Sequence, residues 1–388
     1  MPSLYLHIPF CEVKCGYCDF YSVPRGHEDW DLQKEYVTAL LREIDTRCLH
    51  FAARQPVNTI FFGGGTPSLL SIDLLEKILK KLSDYFSWSS TTEITLESNP
   101  KTVNLSRLKD FRSLGINRLS IGVQSFHDKH LQTLGRFHSA GEATKTIQEA
   151  QQAGFENINF DLIFGIPGQT LEEWKSDLKQ AVALQTKHLS AYNLTIEEET
   201  PFAKIYKTVG ANLVFAHDKG RSQGSPLQSE ENQIQMFQTT RDFLNAHGFV
   251  PYEISNFSKP GFECRHNLNY WNYGEYYGFG VSAASFVGQT RESNIRNLNP
   301  YLQGTWRDFS ETISPEKGMG EFLFLGLRLE NGISLKKFET FFKKSLMESK
   351  GDKIQEFLKK EWLILETDSL RLSKKGRLLA NELFMELL

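Results

Sequence analysis

The sequence lacks any run of apolar residues long enough to cross a membrane. It also lacks an excess of charge, because 44 Lys and Arg residues stand against 47 Asp and Glu residues, which gives no electrostatic reason to expect nucleic acid or an acidic membrane as a partner. The N-terminus shows no basic segment followed by an apolar one, so we expect no secretory signal. With only five cysteines in 388 residues, a cytoplasmic location fits best.

Three of the five cysteines stand close together near the N-terminus, as a C-x3-C-x2-C array of Cys11, Cys15 and Cys18. Cysteine thiolates hold [4Fe-4S] clusters, normally four to a cluster, so a loop with three leaves one iron with an open coordination position. Gly16 gives the backbone freedom to fold around one cluster. The array therefore predicts a [4Fe-4S] cluster whose open iron holds a small molecule by its amino and carboxylate groups.

Two other interpretations of the array remain. Zinc also binds thiolates, but structural zinc sites take four ligands, and the fourth here would be His7, inside a predicted strand rather than in the loop. Disulfide bonding is the weaker alternative, because three cysteines cannot pair among themselves and nothing in the sequence points to export. The iron–sulfur interpretation is therefore preferred.

Short apolar runs alternate with amphipathic helical stretches over the first half of the chain. The predicted strands are 4–8, 59–62, 93–97, 118–123, 157–164 and 189–194, and helical periodicity is clear over 32–44, 74–82, 143–153 and 171–184. Such alternation predicts an α/β fold with a parallel sheet. Six units rather than eight predict a partial (β/α)6 barrel, with its active face at the C-terminal ends of the strands.

The length of the chain suits a barrel-sized domain and a smaller module. We expect the partial barrel over residues 1–215, a connecting region over 216–310 and a C-terminal module over 311–388. Polar residues 217–233 predict a surface loop before a helix over 234–246. The C-terminal module reads as mostly helical with a hairpin, which resembles a winged helix. Its 14 basic and 13 acidic residues favour docking or packing over DNA binding.

Polar residues follow the predicted strands at the rim where barrel enzymes place functional groups. The second strand runs into residues 63–67, Gly-Gly-Gly-Thr-Pro, whose backbone is open to a ligand. Glu97 is suited to accept hydrogen bonds from a ribose diol, and Gln124 follows the fourth strand; the alternative for both is a strand cap or loop contact. Asp161 interrupts an apolar run, so we expect it to meet Arg136, in a ligand site or as a structural salt bridge.

A second dense motif is residues 264–271, Cys-Arg-His-Asn-Leu-Asn-Tyr-Trp, followed by an aromatic and Gly-rich run to Gly280. A histidine among aromatic residues suits a flat, apolar, metal-bearing ligand such as haem, with His266 as axial ligand. The alternative is a core histidine with satisfied hydrogen bonds. Cys264 is a candidate second axial ligand, and a buried thiol without a role is the simpler interpretation.

The motifs together resemble the radical SAM superfamily. The resemblance rests on residues 5–11 with the cysteine array, on 63–67, on 122–126 (Gly-Val-Gln-Ser-Phe), on 161–167 (Asp-Leu-Ile-Phe-Gly-Ile-Pro) and on 266–271. More narrowly, the chain resembles the branch of oxygen-independent coproporphyrinogen III dehydrogenase and the HemW-type haem chaperones. The resemblance extends into the C-terminal module and so covers nearly the whole chain.

The resemblance implies that Cys11, Cys15 and Cys18 bind the cluster and that S-adenosylmethionine chelates its open iron. The residues that match S-adenosylmethionine contacts of the dehydrogenase are Tyr5, Tyr17, Gly64, Gly65, Thr66, Glu97, Gln124, Arg136 and Asp161. Haem binding, with His266 on the iron, is implied for His266, Asn267, Tyr270 and Trp271. The protein supplies placement, and the cofactors supply the chemistry.

Two departures separate this chain from the dehydrogenase. Phe20 stands where the dehydrogenase has the last cysteine of C-x3-C-x2-C-x-C, and only four residues precede Tyr5, where the dehydrogenase has a substantial segment. Both favour a haem chaperone that hands haem to an acceptor protein, such as a respiratory enzyme. The alternative is a radical SAM oxidoreductase that decarboxylates coproporphyrinogen III. The oligomeric state stays open, with a homodimer as one expectation.

Overall fold

A computed structural model describes residues 1–24, 29–206 and 228–388. Twelve strands of these residues form one sheet. In chain order they are β1 (Ser3–Ile8), β2 (Thr59–Gly64), β3 (Glu93–Ser98), β4 (Arg118–Gln124), β5 (Asn157–Phe164), β6 (His188–Asn193), β7 (Val250–Pro251), β8 (Asn256–Ser258), β9 (Tyr276–Phe279), β10 (Ala284–Val287), β11 (Thr290–Asn294) and β12 (Arg307–Thr312). Across the sheet the order is β7-β8-β6-β5-β4-β3-β2-β1-β9-β10-β11-β12.

The first six strands are the six predicted ones, and each pairs in parallel with its chain neighbour. This confirms the α/β fold with a parallel sheet. Strand β2 runs two residues further than predicted, because Gly63 and Gly64 pair with His7 and Ile8 of β1. The glycine-rich segment therefore begins inside the sheet and is held next to the start of the cysteine loop.

The sheet continues on both sides of these six strands. Strand β9 pairs in parallel with β1, and β10, β11 and β12 follow it in antiparallel order. On the other side β8 is antiparallel to β6. Much of the region predicted as connecting, 216–310, thus extends the sheet of the barrel. The proposed domain boundaries themselves stay a prediction.

Fifteen α-helices accompany the sheets in the described residues. They are α1 (Trp30–Cys48), α2 (Ile72–Tyr85), α3 (Leu105–Ser113), α4 (Asp128–Leu134), α5 (Ala140–Gln152), α6 (Leu171–Ala183), α7 (Pro201–Tyr206), α8 (Glu230–Ala246), α9 (Arg265–Trp271), α10 (Leu298–Leu302), α11 (Pro315–Gly326), α12 (Leu335–Phe342), α13 (Leu346–Lys359), α14 (Lys374–Leu378) and α15 (Ala380–Leu387). The four helices predicted in the barrel are present. Their starts follow side-chain caps, such as the capping boxes at Ser139 and Thr170.

The predicted surface loop over 217–233 is wrong at its end. Residues 217–227 lie outside the described residues, and α8 already begins at Glu230, four residues before the predicted start at 234. Ser229 explains the difference, because its hydroxyl accepts a hydrogen bond from the backbone N–H of Asn232 at 3.2 Å and so caps the helix. Polar composition alone does not separate a loop from the first turn of a capped helix.

The C-terminal module contains the predicted hairpin between helices. Strands β13 (Ile333–Ser334), β14 (Leu363–Leu365) and β15 (Ser369–Leu372) form a small sheet in the order β13-β15-β14, flanked by α12, α13 and α14. The mostly helical, hairpin-bearing module is therefore confirmed. Within the described ranges, no helix has both the length and the apolar character needed to cross a bilayer.

Candidate functional site at the strand ends

The cysteine loop folds back against the ends of β1 and β2. The backbone N–H of Val23 donates to the carbonyl of Pro9 at 2.7 Å, and that of Gly65 donates to the carbonyl of Ile8 at 2.8 Å. A side chain at position 65 would meet the carbonyl oxygen of Pro9 at 2.8 Å, so this close approach requires glycine. The loop and the glycine segment are thereby locked together at the C-terminal rim.

A pocket of about 560 Å³ opens at this rim. Nearly all the residues predicted to bind the cluster or S-adenosylmethionine line it, namely Cys11, Cys15, Tyr17, Cys18, Gly64, Gly65, Thr66, Glu97, Gln124, Arg136 and Asp161. Sequence reasoning missed other lining residues, among them Asn99 and Asn193. Asn99 follows β3 directly, by the same strand-end signal that identified Glu97. Phe20 lies on the rim and is 70% exposed.

Arg136 brings positive charge to the cysteine loop. Its Nη1 donates to Cys15 Sγ at 3.4 Å, while Nη2 donates to the carbonyl of Gly122 at 2.7 Å and to Asn99 Oδ1. The predicted meeting of Arg136 with Asp161 is not a salt bridge in the described residues, and Asp161 instead accepts a hydrogen bond from Asn159 Nδ2 at 2.9 Å. Arg136 is thus fixed by neutral acceptors and directed at the thiol.

The residues present fit an iron–sulfur cluster with a chelating ligand. Burial raises the pKa of Cys11 and raises that of Cys18 to about 11, so these two side chains are thiols until a positive metal centre replaces their protons. Cys15 is buried between them in the array. Two buried polar atoms of the pocket, Arg136 Nε and Asn193 Oδ1, have no hydrogen-bond partner. In the described residues no three His, Cys, Asp or Glu side chains converge on a single metal ion.

Glu97 faces the pocket as a protonated acid near neutral pH. Burial, followed by the charge of Asp161, raises the pKa of Glu97 to about 8, although its carboxylate accepts a hydrogen bond from the backbone N–H of Gly64 at 3.1 Å. Two buried carboxyl groups in one pocket oppose each other's ionisation. A ligand with hydroxyl donors or positive charge relieves this cost, which makes the pair suited to a cationic nucleoside.

We expect Glu97→Gln to stabilise the protein without ligand, increasingly as the pH rises from about 4.5 to about 8. A carboxyl whose pKa is higher in the folded chain than in the unfolded one lowers the free energy of unfolding over that interval. The gain should be roughly 1–3 kcal/mol near neutral pH. Urea unfolding across this range checks it, with Glu76→Gln on the exposed face of α2 as control. Equal pH profiles of the two variants would contradict the assignment.

Hydrogen bonds link Tyr5 and His7 of β1 to Tyr21, which follows the cysteine array. His7 Nε2 is 2.9 Å from the carbonyl oxygen of Tyr21, which only accepts, so Nε2 carries the proton and Nδ1 accepts from the hydroxyl of Tyr5 at 3.1 Å. Burial lowers the pKa of His7 to about 4, so the ring is neutral. Both ring nitrogens thus form hydrogen bonds, and His7 would have to break one of these bonds to bind zinc. Tyr5, a predicted S-adenosylmethionine contact, packs against Phe61 and does not line the pocket.

His266 lies at the opposite end of the barrel strands, buried at the start of α9. Glu93 of β3 holds this helix, because its carboxylate accepts the backbone N–H groups of Arg265 at 3.2 Å and His266 at 3.1 Å. Thr59 donates to Ser3, so its oxygen accepts the Nδ1–H of His266 at 2.7 Å. The Nε2 of His266 therefore carries a lone pair, which accepts the hydroxyl of Tyr270 at 3.0 Å.

The remaining residues of the motif surround this histidine. Burial lowers the pKa of His266 to about 3, and its ring stacks on Phe61 at 4.8 Å. Cys264 is fully buried, with Sγ 3.7 Å from Glu93 Oε1, and burial raises the pKa of its thiol to about 12. Asn267 lies next to His266 on α9, and Trp271 ends the helix. The structure thus joins the motif to the barrel core and keeps it apart from the cysteine rim.

Comparison with known proteins agrees with this arrangement. Residues 5–181 match the Radical SAM superfamily, and residues 313–379 match the HemN C-terminal domain. Heme chaperone HemW of Bacillus subtilis (strain 168) is 34% identical over 99% of this chain and 98% of its own, and heme chaperone HemW of Escherichia coli (strain K12) is 37% identical over 84% and 82%.

One solved structure shares the fold over the whole chain. Coproporphyrinogen III oxidase (HemN) from Escherichia coli, described as a radical SAM enzyme, superimposes with a TM-score of 0.84, covering 100% of this chain and 90% of its own at 24% identity. That likeness bears on the fold, while the sequence identities to the HemW proteins extend over nearly full length. The chain therefore belongs to the radical SAM superfamily and, within it, to the heme chaperone HemW family.

Proposed function

We propose that this protein is a haem chaperone that binds haem, a [4Fe-4S] cluster and S-adenosylmethionine and transfers haem to an acceptor protein, such as a respiratory enzyme. The observation that carries the proposal is similarity to proteins named heme chaperone HemW over 99% of the chain. The rim pocket and the buried His266 support the proposal, because they are two separate places that could take the two kinds of ligand. A cytoplasmic location and a homodimer remain part of the proposal.

Cys11, Cys15 and Cys18 would hold the cluster at the rim pocket. When bound, such a cluster supplies low-potential electrons to a sulfonium ligand at its open iron. The guanidinium of Arg136, beside Cys15, offsets the negative charge that three thiolates bring to a partly buried loop. Thr66 would donate a hydrogen bond to another thiolate of the cluster, since its hydroxyl lies 3.6 Å from Cys11 Sγ.

S-adenosylmethionine would occupy the rest of the rim pocket. Glu97 and Asp161 present carboxyl groups to its hydroxyl and cationic groups. Gln124, the last residue of β4, lines the pocket at a left-handed φ of 71°. Gly64 and Gly65 leave the backbone open beside the cysteine loop. These residues bind and orient the ligand, and their burial keeps water from the reacting end.

His266 would bind the haem iron through Nε2. Its Nδ1–H is already held by Thr59, and metal-bound histidines characteristically donate the other ring N–H in this way. Its low pKa keeps the ring neutral, which is the form that binds a metal. Tyr270 covers the lone pair, so ligation requires its hydroxyl to move away. The imidazole is therefore oriented for ligation, with one hydrogen bond to be broken.

The test is an anaerobic reconstitution of the full chain with iron and sulfide, followed by titration with hemin. We expect equimolar haem binding with a Soret band characteristic of protein-bound haem, since a neutral, oriented imidazole is available. In a parallel sample, coproporphyrinogen III, S-adenosylmethionine and a reductant should give no protoporphyrinogen IX, because Phe20 stands where the dehydrogenase has its last cysteine. Absence of a Soret band, or formation of protoporphyrinogen IX, would overturn the proposal.

A further inference from the structure

A second cavity, of about 420 Å³, lies between α9, the β9–β11 part of the sheet and α11. Small-molecule sites commonly measure about 300–1,000 Å³, so its size is adequate. Its walls are chiefly aromatic, formed by Tyr270, Trp271, Tyr273, Tyr276 and Phe286. Aromatic walls on several sides favour a flat, apolar ligand that offers its faces to the rings.

The polar groups of this cavity favour a ligand that carries carboxylates. Arg291 donates from Nη2 to Glu321 at 2.9 Å and from Nη1 to the other oxygen of the same carboxylate. Its guanidinium also hydrogen-bonds Tyr276, so at most two of its five N–H donors remain for a ligand. Trp271 also lines the cavity, and its buried Nε1 has no hydrogen-bond partner in the described residues. A ligand acceptor that reached this indole N–H would satisfy a group that the chain itself leaves unpaired.

Tyr270 connects the cavity to His266. Its ring lies edge-on to the ring of His266, with centroids 4.9 Å apart, and edge-on to Tyr276 on the cavity side at 4.6 Å. Its hydroxyl also covers the Nε2 lone pair of His266. Tyr270 therefore forms the wall between the imidazole and the cavity. If its side chain moved away, the Nε2 of His266 would be exposed to a ligand in the cavity.

We propose that this cavity is the porphyrin site, in which Arg291 and the indole N–H of Trp271 bind the ring's carboxylates and the aromatic walls hold its faces. The proposal rests on haem binding as the proposed function and deepens it, by placing the ligand outside the barrel core. Iron ligation by His266 is then a second step, after Tyr270 moves. Glu321, Phe324 and Leu325 belong to α11, so the C-terminal module forms one wall of the site.

Neutral substitutions of the two charged side chains, Arg291 and Glu321, should have opposite effects on porphyrin affinity. Arg291→Gln should weaken binding of metal-free protoporphyrin IX about tenfold or more, because it removes a charge-assisted contact to carboxylate. Glu321→Gln should strengthen it, because it removes a competing carboxylate beside Arg291. Arg307→Gln is the matched control, since Arg307 lies on the neighbouring strand β12, is 58% exposed and pairs with Glu292 outside the cavity.

The measurement is a titration of the full chain with metal-free protoporphyrin IX, followed by the porphyrin's own fluorescence, and a second titration with hemin. Trp271→Phe keeps the aromatic wall but removes the N–H donor, so it tests the site even if Arg291→Gln fails to fold. It should weaken binding of both ligands.

The outcomes separate this inference from the proposed function. If hemin and protoporphyrin IX both fail to bind the unmodified chain, the haem-binding function itself is wrong. If both bind, but Arg291→Gln, Glu321→Gln and Trp271→Phe bind as the unmodified chain does, haem binding stands and its assignment to this cavity is overturned. A shift of opposite sign for Arg291→Gln and Glu321→Gln, with Arg307→Gln unchanged, supports the assignment.

Discussion

Replacing Cys15 with alanine is expected to abolish the iron–sulfur cluster. Three thiolates are already the minimum for a cubane with one open iron, so the loss of one leaves two irons without a protein ligand. Cys15 is the buried member of the array and the one to which Arg136 donates, which makes its site the least open to a substitute ligand. Bound iron should fall from about four atoms per chain to near zero after anaerobic reconstitution.

The matched control is Cys48→Ala. Cys48 is also a buried free cysteine, but it lies at the end of α1 in the apolar core. The same change of side chain there should leave the cluster's visible absorbance and iron content intact, at a small cost in stability. Iron and acid-labile sulfide measured in both variants decide the matter. A full cluster in Cys15→Ala would refute the assignment of the array.

The parallel barrel and its rim could be predicted from local patterns. Apolar runs such as 157–164 identify strands without further information, and polar residues directly after or within them, such as Glu97 and Asp161, fall on one rim because parallel strands end together. Asn99, directly after β3, follows the same rule and lines the same pocket. Local sequence is sufficient to predict a site residue when the end of a single strand determines where its side chain lies.

Long-range pairing could not be predicted in the same way. Strand β9 pairs with β1 although most of the chain's first three hundred residues lie between them, and nothing in the short run 276–279 indicates that neighbour. The surroundings of His266 depend on such contacts, since Glu93, Thr59 and Phe61 come from β2 and β3. The sequence therefore identified residues 264–271 as a candidate haem motif but not their orientation, and the cavity between α9 and α11 followed only from the packed structure.

Substitutions at the two ends of the hydrogen bond between His266 and Tyr270 should have opposite effects on ligation of the hemin iron. His266→Ala should remove the iron ligand, so hemin would still enter an aromatic cavity but lose the absorption and electron-paramagnetic features of histidine ligation. Tyr270→Phe should do the reverse, because it frees the Nε2 lone pair while it keeps the ring. Release of one neutral hydrogen bond, worth about 1 kcal/mol, should favour ligation by about fivefold.

Tyr85→Phe is the control for this pair and should have no effect on hemin, since the Tyr85 hydroxyl, at the end of α2, donates to Asp45 of α1 at 2.8 Å. Weaker ligation in Tyr270→Phe would mean that the tyrosine hydroxyl supports the bound haem rather than covering the histidine. An unchanged hemin spectrum in His266→Ala would remove the axial role altogether. Because the two substitutions break the same contact from opposite sides, opposite shifts in ligation are explained by a covered imidazole and not by general loss of packing.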